Sequence, residues 1–327
     1  MQEAQKGAEA ANQVAGQADQ AVRALAFSPD GRVLISAGDY AAIQGWDGET
    51  GAPLSSFEGH QGAVRGLAFG TDGRLLSVSA DKSLGGWELQ PGWTLERTIG
   101  NGIDPAPFAH RVLALDFRDD GEWLACGGGE PSRTGEIQIF RTADGAPVLA
   151  IPEPHSDTVL SLQFSADGQR LASGGADRTP RTFDLAAGGK LIQRFEGHTH
   201  HVLGVAWKTD GSLLTTASAD GTLKTWNADT GDQVVTMMPN SKLFTAVRYI
   251  GDTNNVVATN TDGLPRMYRA NDGGLFLNLN PVSDYLHSVD VTPNQQTVIA
   301  GGHRGTLYIW SGQNGQLLHR LDPAAAR

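Results

Sequence analysis

A pattern of short strands and turns recurs seven times along this chain and limits the folds open to it. Each copy begins with an apolar strand that carries a valine, at Val22, Val64, Val112, Val159, Val202, Val247 and Val289. Successive valines lie 42 to 48 residues apart. A repeat of this length is one supersecondary unit that buries its faces only against neighbouring copies. The spacing therefore predicts one repeat-built domain.

The clearest copy runs from Gly197 to Asp232. Its apolar runs are separated by the turns Thr209-Asp210-Gly211 and Ala219-Asp220-Gly221, and glycine tolerates the positive φ that tight hairpin turns require. A fourth apolar run closes each copy, for example Leu317 to Leu321. The third strand ends on an aromatic residue in every copy: Trp46, Trp87, Phe140, Phe183, Trp226, Tyr268 and Trp310. The pattern predicts an all-β fold of seven four-stranded antiparallel units.

Several of these residues resemble the motifs of the WD-repeat family, namely Gly59-His60, Gly197-His198, Ser28-Pro29-Asp30-Gly31 and Trp46-Asp47. The resemblance implies that residues 21–322 form a seven-bladed β-propeller, each blade a twisted four-stranded antiparallel sheet around a central channel. Residues 1–20 are rich in Ala, Gln, Glu and Gly, and we interpret them as a linker or frayed helix. Residues 323–327 are a short C-terminal tail.

The resemblance also implies a buried hydrogen-bonded network of His, Ser or Thr, Asp and Trp in each well-kept blade. The complete sets are His60, Ser77, Asp81 and Trp87 in the second repeat and His198, Thr216, Asp220 and Trp226 in the fifth. The fourth repeat keeps His155, Ser173 and Asp177 but has Phe183 in place of the tryptophan. At the aspartate position the first, third and seventh repeats have Tyr40, Thr134 and Arg304, whereas the sixth keeps Asp262 with Leu243 at the histidine position.

Most members of the family close the ring with an N-terminal strand, but here residues 317–321 already supply the last outer strand. We therefore expect the ring to close by packing of the seventh blade against the first, unless residues 10–16 add a strand. Some bacterial propellers that are modules of larger proteins, such as multidomain c-type cytochromes, are similar. This likeness favours the interpretation that the chain is part of a larger bacterial protein.

Composition restricts the function classes. The net charge of −11 argues against sequence-independent nucleic-acid binding, which needs a basic surface. Cys126 is the single cysteine, which excludes an intrachain disulfide framework and a cysteine-based zinc site. No apolar run approaches the length of a membrane span, and the first residues lack the apolar core of a signal peptide.

The patterns that suggest chemistry have plainer explanations. Ten Asp-Gly pairs lack the ligand spacing of a calcium loop and are expected to be hairpin turns. His200 and His201 make at most half a zinc site, because the resemblance assigns His155 and His198 to structural roles. No Gly-x-Ser-x-Gly motif is present, and the glycines of residues 127–129 precede no Lys-Ser/Thr pair. We predict neither a metal, nor a cofactor, nor an enzymatic activity.

A partner is expected on the face that carries the connections between blades. Residues 100–109 and 127–135 hold the extra length of the third repeat on that face, either as a functional rim or as tolerated surface insertions. Arginines, aromatic residues and histidines are expected around the channel mouth, either as an interaction patch or paired with local carboxylates. The candidate partner-binding residues are Arg23, Tyr40, Arg65, Phe108, Arg111, Arg133, Arg178, His201, Arg248, Tyr285, His303 and Arg304.

The leading hypothesis is a monomeric, non-catalytic scaffold that binds a protein or peptide, such as an acidic segment, on this face, with no direct membrane insertion. One alternative is a structural module that positions the domains of a larger multidomain protein, including a redox protein. Another is a ligand-binding or enzymatic propeller that uses its central channel. The sequence assigns no cellular compartment.

Overall fold

The computed structural model describes residues 21–48, 50–70, 73–88, 94–99, 108–238, 242–292 and 294–321. These residues form 28 strands arranged in seven sheets, and every sheet has four antiparallel strands. This architecture confirms the prediction of an all-β, seven-bladed propeller. Within these ranges, no helix has the length and apolar character that crossing a membrane requires.

The blades follow one another in chain order. Blade one contains β1 (Val22–Phe27), β2 (Val33–Gly38), β3 (Ile43–Asp47) and β4 (Pro53–Phe57), and blade two contains β5 (Val64–Phe69), β6 (Leu75–Ser79), β7 (Leu84–Glu88) and β8 (Thr94–Ile99). Blade three contains β9 (Val112–Phe117), β10 (Trp123–Glu130), β11 (Thr134–Arg141) and β12 (Pro147–Ile151), and blade four contains β13 (Val159–Phe164), β14 (Arg170–Gly175), β15 (Arg181–Asp184) and β16 (Lys190–Arg194). Blade five contains β17 (Val202–Trp207), β18 (Leu213–Ser218), β19 (Leu223–Asn227) and β20 (Gln233–Met237). Blade six contains β21 (Phe244–Tyr249), β22 (Asn255–Asn260), β23 (Arg266–Arg269) and β24 (Leu275–Asn278), and blade seven contains β25 (Leu286–Val291), β26 (Thr297–Gly302), β27 (Leu307–Ser311) and β28 (Leu317–Leu321).

Each sheet is built from four consecutive strands, so the described strands are not exchanged between blades. Blade seven takes its outer strand, β28, from the C-terminal end of the chain, as predicted. The alternative donor, residues 10–16, lies outside the described residues. The contact between blades seven and one is apolar at its centre, where Val22 and Leu25 pack in one cluster with Ile299 and Ile309. The Phe27 N–H also donates a 3.2 Å hydrogen bond across this contact to Asp290 Oδ2.

The pairing register corrects the starting points of blades six and seven. The inner strands begin at Phe244 and Leu286, three residues before the valines used as markers, because these residues pair with the last residues of the second strands as Val22 pairs with Gly38. A β-bulge follows the first residue of each inner strand, and the residue three positions after that first residue is also buried and apolar. The sequence pattern does not distinguish two buried apolar residues three apart, and the valine is the later of the two.

The extra length of blade three also differs from the expectation. Residues 127–135 are not a loop, because most of them extend the hairpin of β10 and β11, whose strands have eight residues each. A tight turn joins the strands, in which Arg133 N–H donates to Glu130 O and Ser132 has a φ of 60°. Of the other insertion, residues 100–107 lie outside the described residues. Blade three therefore carries a rigid hairpin at this place.

In the Asp-Gly turns that join first and second strands, the aspartate side chains accept hydrogen bonds from their own turns. The carboxylates of Asp30, Asp120, Asp167 and Asp210 each accept a hydrogen bond from the backbone N–H two residues later, over 2.9–3.1 Å. An aspartate that closes its own turn in this way stabilises the hairpin. All four turns lie at the end of the propeller opposite to the start of the inner strands.

Candidate partner-binding face

We call top face the end of the ring where the inner strands begin. The register places the turn between second and third strands on the same end, because Val22 pairs with Gly38 and Val64 pairs with Ser79. The second residues of the seven inner strands lie at the same level and surround the channel mouth, and we call this layer the mouth step. In ring order this step contains Arg23, Arg65, Leu113, Leu160, Leu203, Thr245 and His287.

A shared carboxylate joins the two arginines of this step. Arg23 donates to both oxygens of Asp39, with Nη2 at 2.9 Å from Oδ2, and Arg65 Nη1 donates to Asp39 Oδ1 at 2.6 Å. Although partial burial acts to raise the pKa of Asp39, the hydrogen bonds and charges of the two arginines hold it below its ordinary value. The three side chains are each about 30% exposed. Two guanidinium groups and one carboxylate leave one net positive charge at the mouth.

Two histidines continue this cluster around the ring. Arg23 Nη1 lies 2.9 Å from His287 Nδ1, and His287 Nε2 lies 3.1 Å from His303 Nδ1. Burial lowers the pKa of His287 to about 4, and the charge of Arg23 adds to this lowering. His287 is therefore neutral at pH 7, and it accepts at Nδ1 from Arg23 and donates from Nε2 to His303. We call His287, Arg23 and Arg65, which belong to blades seven, one and two, the polar arc.

The next three blades present leucines at the same step. Leu113, Leu160 and Leu203 are partly exposed, and none of them belongs to the seven clusters of packed core side chains that the described residues form. We call these residues the leucine arc. In blade six Thr245 separates the two arcs and donates a 2.7 Å hydrogen bond to Leu286 O. The mouth is therefore apolar along one side and polar along the other.

Arg248 does not lie at the mouth, which corrects its predicted placement. It follows Phe244 by four residues, so it lies three residues below the step of the arcs, or about 10 Å along the strand. Asp116 and Asp290 occupy the same level, and the charge of Arg248 acts on both carboxylates. Burial raises the pKa of Asp116 to about 7, although Phe164 N–H donates a 2.7 Å hydrogen bond to it. Arg248 thus balances two acidic groups inside the channel.

Tyr40 and Phe108 are also corrected, because both are buried and neither can contact a partner from the surface. Tyr40 is 8% exposed, and burial raises its pKa to about 12. Phe108 is 3% exposed and packs against Phe140 with ring centroids 5.4 Å apart. Both side chains fill interior positions of their blades rather than loops above them.

The other candidate residues are exposed around the polar arc and the leucine arc. Tyr285 is 50% exposed and lies between His303, at 6.0 Å between ring centroids, and Lys242, whose Nζ is 5.9 Å from the Tyr285 ring. His201 contacts His200 with the two rings tilted and their centroids 4.4 Å apart. Exposed arginines complete the set at Arg111, Arg133, Arg178 and Arg304.

Arg133 belongs to the hairpin tip of blade three and pairs with Glu130 at 2.9 Å. The hairpin borders a cleft of about 720 Å³ toward blade four. His110 lines this cleft and is held by Glu136, whose Oε1 lies 2.7 Å from His110 Nδ1. Arg133 and His110 are thus each paired with a glutamate of the same hairpin.

The structure places the histidine networks of blades two and five inside the blades. In blade five, Trp226 Nε1 donates to Thr216 Oγ1 at 2.9 Å, Thr216 Oγ1 lies 2.7 Å from His198 Nε2, and His198 Nδ1 lies 2.8 Å from Asp220 Oδ2. Blade two repeats this order through Trp87, Ser77, His60 and Asp81, with distances of 2.8, 2.7 and 3.2 Å. Although burial acts to raise the pKa values of Asp81 and Asp220, hydrogen bonds from His60 and His198 hold them well below their ordinary range.

Blade four modifies this network. His155 lies 2.6 Å from Ser173 and 2.9 Å from Asp177, so the three predicted members are together. The sequence interpretation missed Arg181, which contacts His155 and donates a 2.7 Å hydrogen bond to Asp177. Its side chain is only 10% exposed. Arg181 and Asp177 therefore form a buried ion pair beside His155.

Blade three replaces the network with apolar groups. The register puts Cys126 opposite Leu115, as it puts Ser77 opposite Leu67, and Phe140 stands where blade two has tryptophan. Phe108, four residues before Val112, takes the histidine position. In blade six the histidine position is residue 240, outside the described residues, and not Leu243. Thr134 pairs with Glu130 in the extended hairpin, so it is not at an aspartate position of a tight turn.

Within the described ranges, no group of three or more His, Cys, Asp or Glu side chains could hold a metal ion. His200 and His201 are a pair of tilted, exposed rings in contact.

The model of the family described as WD domain, G-beta repeat matches residues 12–47, 51–88, 147–184 and 189–227. The last three matches each contain the outer strand of one blade and three strands of the next, in register with the observed sheets. The chain is a WD-repeat β-propeller. Blades three, six and seven have no match of their own, and both blades with the complete histidine network, two and five, are matched. A search of curated proteins found no match to this chain.

Sequence reasoning missed Asp39, His287 and the leucine arc. Asp39 stands beside a turn, and no sequence pattern distinguishes it from other turn residues. His287 takes its place only when the inner strand of blade seven begins at Leu286. The three leucines directly follow Val112, Val159 and Val202, so the sequence pattern could have shown them.

Proposed function

We propose that this chain is a non-catalytic platform whose top face binds a protein or peptide segment with acidic side chains. WD-repeat propellers commonly mediate protein interactions, which supports the general role. A rigid ring also loses little conformational freedom when a partner binds to its face, and this preserves affinity.

The observation that carries the proposal is the state of Arg65. Among the described residues its guanidinium makes one hydrogen bond, to Asp39, and Asp39 is shared with Arg23. A guanidinium has five N–H donors, so several of those of Arg65 are available to a ligand. Its side chain is 30% exposed, which shields the group from water more than an open surface would. A carboxylate placed there would make charge-assisted hydrogen bonds.

The surrounding charges favour the same kind of partner. Arg111, Arg178 and Arg304 are exposed on the top face around the channel mouth, and exposed cations there would attract an acidic segment.

A random-peptide display selection on the full chain tests the proposal. We expect the selected peptides, prepared synthetically, to bind R65E about tenfold more weakly than the unmodified chain at low salt, because one charge-assisted contact is lost and repulsion is added. This difference should shrink at high salt, which screens both the attraction and the repulsion. The matched control is R141E, since Arg141 is an exposed arginine paired with Asp144 at the opposite end. Peptides that bind R65E as tightly as the unmodified chain, or selection of no peptide, would contradict the proposal.

A further inference from the structure

We infer that the channel mouth recognises an extended peptide in which an acidic residue adjoins an aliphatic one, and this inference rests on the proposed function. The acidic side chain meets the polar arc at Arg65, and the aliphatic side chain meets the leucine arc. The surface thus selects a two-residue chemistry rather than negative charge alone.

The members of each arc occupy neighbouring blades. The seven residues of the mouth step follow the ring order of the blades, and the three leucines occupy the neighbouring blades three, four and five. The polar members occupy blades seven, one and two, which are also neighbours. Polar and apolar side chains are therefore sorted to opposite sides of one opening instead of alternating around it.

The side chains of the mouth step face a common space. Arg23 and Arg65 come from different blades and reach the same carboxylate, and His287 of blade seven reaches Arg23. The leucines hold the same register position in similar blades, so their side chains are directed to the same opening. They are partly exposed and lie outside the core clusters, so their apolar surface remains available.

The part of the mouth around Arg65 still has hydrogen-bond donors for a partner. Arg23 uses Nε and both Nη atoms on Asp39 and His287, whereas Arg65 makes a single described hydrogen bond. Leu113 is the leucine of the adjacent blade three. Arg65, which retains donors for a ligand, and the start of the leucine arc are therefore neighbours on the ring. Successive side chains of an extended peptide point to opposite sides, so an acidic residue and an adjoining aliphatic one can reach the polar and the apolar side of the opening.

The chain itself supplies conservative substitutions for the test. R65L gives blade two the residue that blades three to five have at this step, and L160T gives blade four the residue of blade six. Neither change introduces a residue type foreign to this position, so both variants are expected to melt near the unmodified chain. R141Q, at the opposite end of the propeller, is the control for loss of an arginine.

The probe comes from a library of heptapeptides that are fused to the phage coat protein through their C-termini. The most enriched peptide is resynthesised with an acetylated N-terminus and an amidated C-terminus. We expect an Asp or Glu next to Leu, Ile, Val or Met in the enriched set. Changing that acid to its amide should weaken binding about tenfold to the unmodified chain and little to R65L. Changing the aliphatic residue to alanine should weaken binding several-fold to the unmodified chain and much less to L160T.

The outcomes separate this inference from the proposed function. If R65E weakens binding but the enriched peptides lack an acid–aliphatic pair, or both double-mutant cycles are additive, the inference is wrong and top-face binding stands. If the same peptide synthesised with a free C-terminus binds much more tightly than the amidated form, and changing its internal acid has no effect, the stated source of the carboxylate is wrong. If binding is insensitive to R65E, the proposed function fails together with the inference.

Discussion

Replacing Asp220 with alanine should destabilise the propeller far more than replacing Asp262, although both aspartates occupy the same turn position. Asp220 accepts hydrogen bonds from His198 Nδ1 at 2.8 Å and Thr222 Oγ1 at 2.6 Å, and from the N–H groups of Thr199 and Thr222 at 3.0 and 2.9 Å. Asp262 accepts from Leu264 N–H at 2.8 Å and from Arg266 at 3.1 Å. The two sites differ mainly in what remains buried after the carboxylate is removed.

The magnitude follows from the exposure of the partners. The His198 side chain is 0% exposed, so D220A leaves its ring N–H with only the longer 3.3 Å contact to Thr222 Oγ1. A poorly satisfied buried donor and the loss of hydrogen bonds to a charge together cost about 3 kcal/mol. Asp262 is 23% exposed, and water can replace its contacts, so D262A should cost about 1 kcal/mol.

Thermal unfolding followed by calorimetry measures the difference. With about 2–4 °C per kcal/mol, D220A should melt about 6–12 °C lower than the unmodified chain and D262A about 2–4 °C lower. The exposed Asp232 gives a control, and D232A should leave the melting temperature nearly unchanged. Because the folded pKa of Asp220 is lowered, its stabilisation is present above about pH 4 and declines as the pH falls further. Equal losses for D220A and D262A would refute the reasoning.

Three further predictions concern the ring, its channel and the interior of blade three. G301A should lower the free energy of unfolding by about 1–3 kcal/mol, because the added Cβ would lie 2.5 Å from Val22 Cγ1 at the ring closure, whereas G45A meets its nearest atom at 3.2 Å; equal stability of the two variants in urea would contradict this. D116N should stabilise the protein by at most about 4 kcal/mol at pH 8 and hardly at pH 4, because a folded pKa raised to about 7 makes the ionised form destabilising as the pH rises; the same gain at both pH values would count against it. Cys126 is buried and burial raises its pKa, so a thiol reagent should label it only after denaturation, and rapid labelling of the folded chain would show that the packing is wrong.

The repeat architecture could be predicted because its signals are local. Alternating apolar residues, Asp-Gly turns and third-strand aromatics each recur within a single blade, so seven copies identify seven blades without knowledge of long-range contacts. The outer strand of blade seven was predicted on the same ground, because residues 317–321 repeat the pattern of the other fourth strands.

The candidate site was less predictable because it depends on comparing equivalent positions across blades. A marker shifted by three residues in blade six moved Arg248 from the channel to the mouth, and the corresponding shift in blade seven hid His287. Tyr40 and Phe108 were assigned to the surface because they stand in connecting segments. In the fold they fill positions that polar network residues occupy in other blades, and an aromatic ring there is buried.

Photo-crosslinking of a selected peptide tests the central claim, that the partner binds at the channel mouth of the top face, most directly. The aliphatic residue of the peptide is replaced with photo-leucine, the complex with the full chain is irradiated, and the adducts are located by mass spectrometry. We predict adducts at the starts of β9, β13 and β17, around Leu113, Leu160 and Leu203. Adducts confined to the turns at the opposite end, around Asp120, Asp167 and Asp210, or to the outer strands, would contradict the claim.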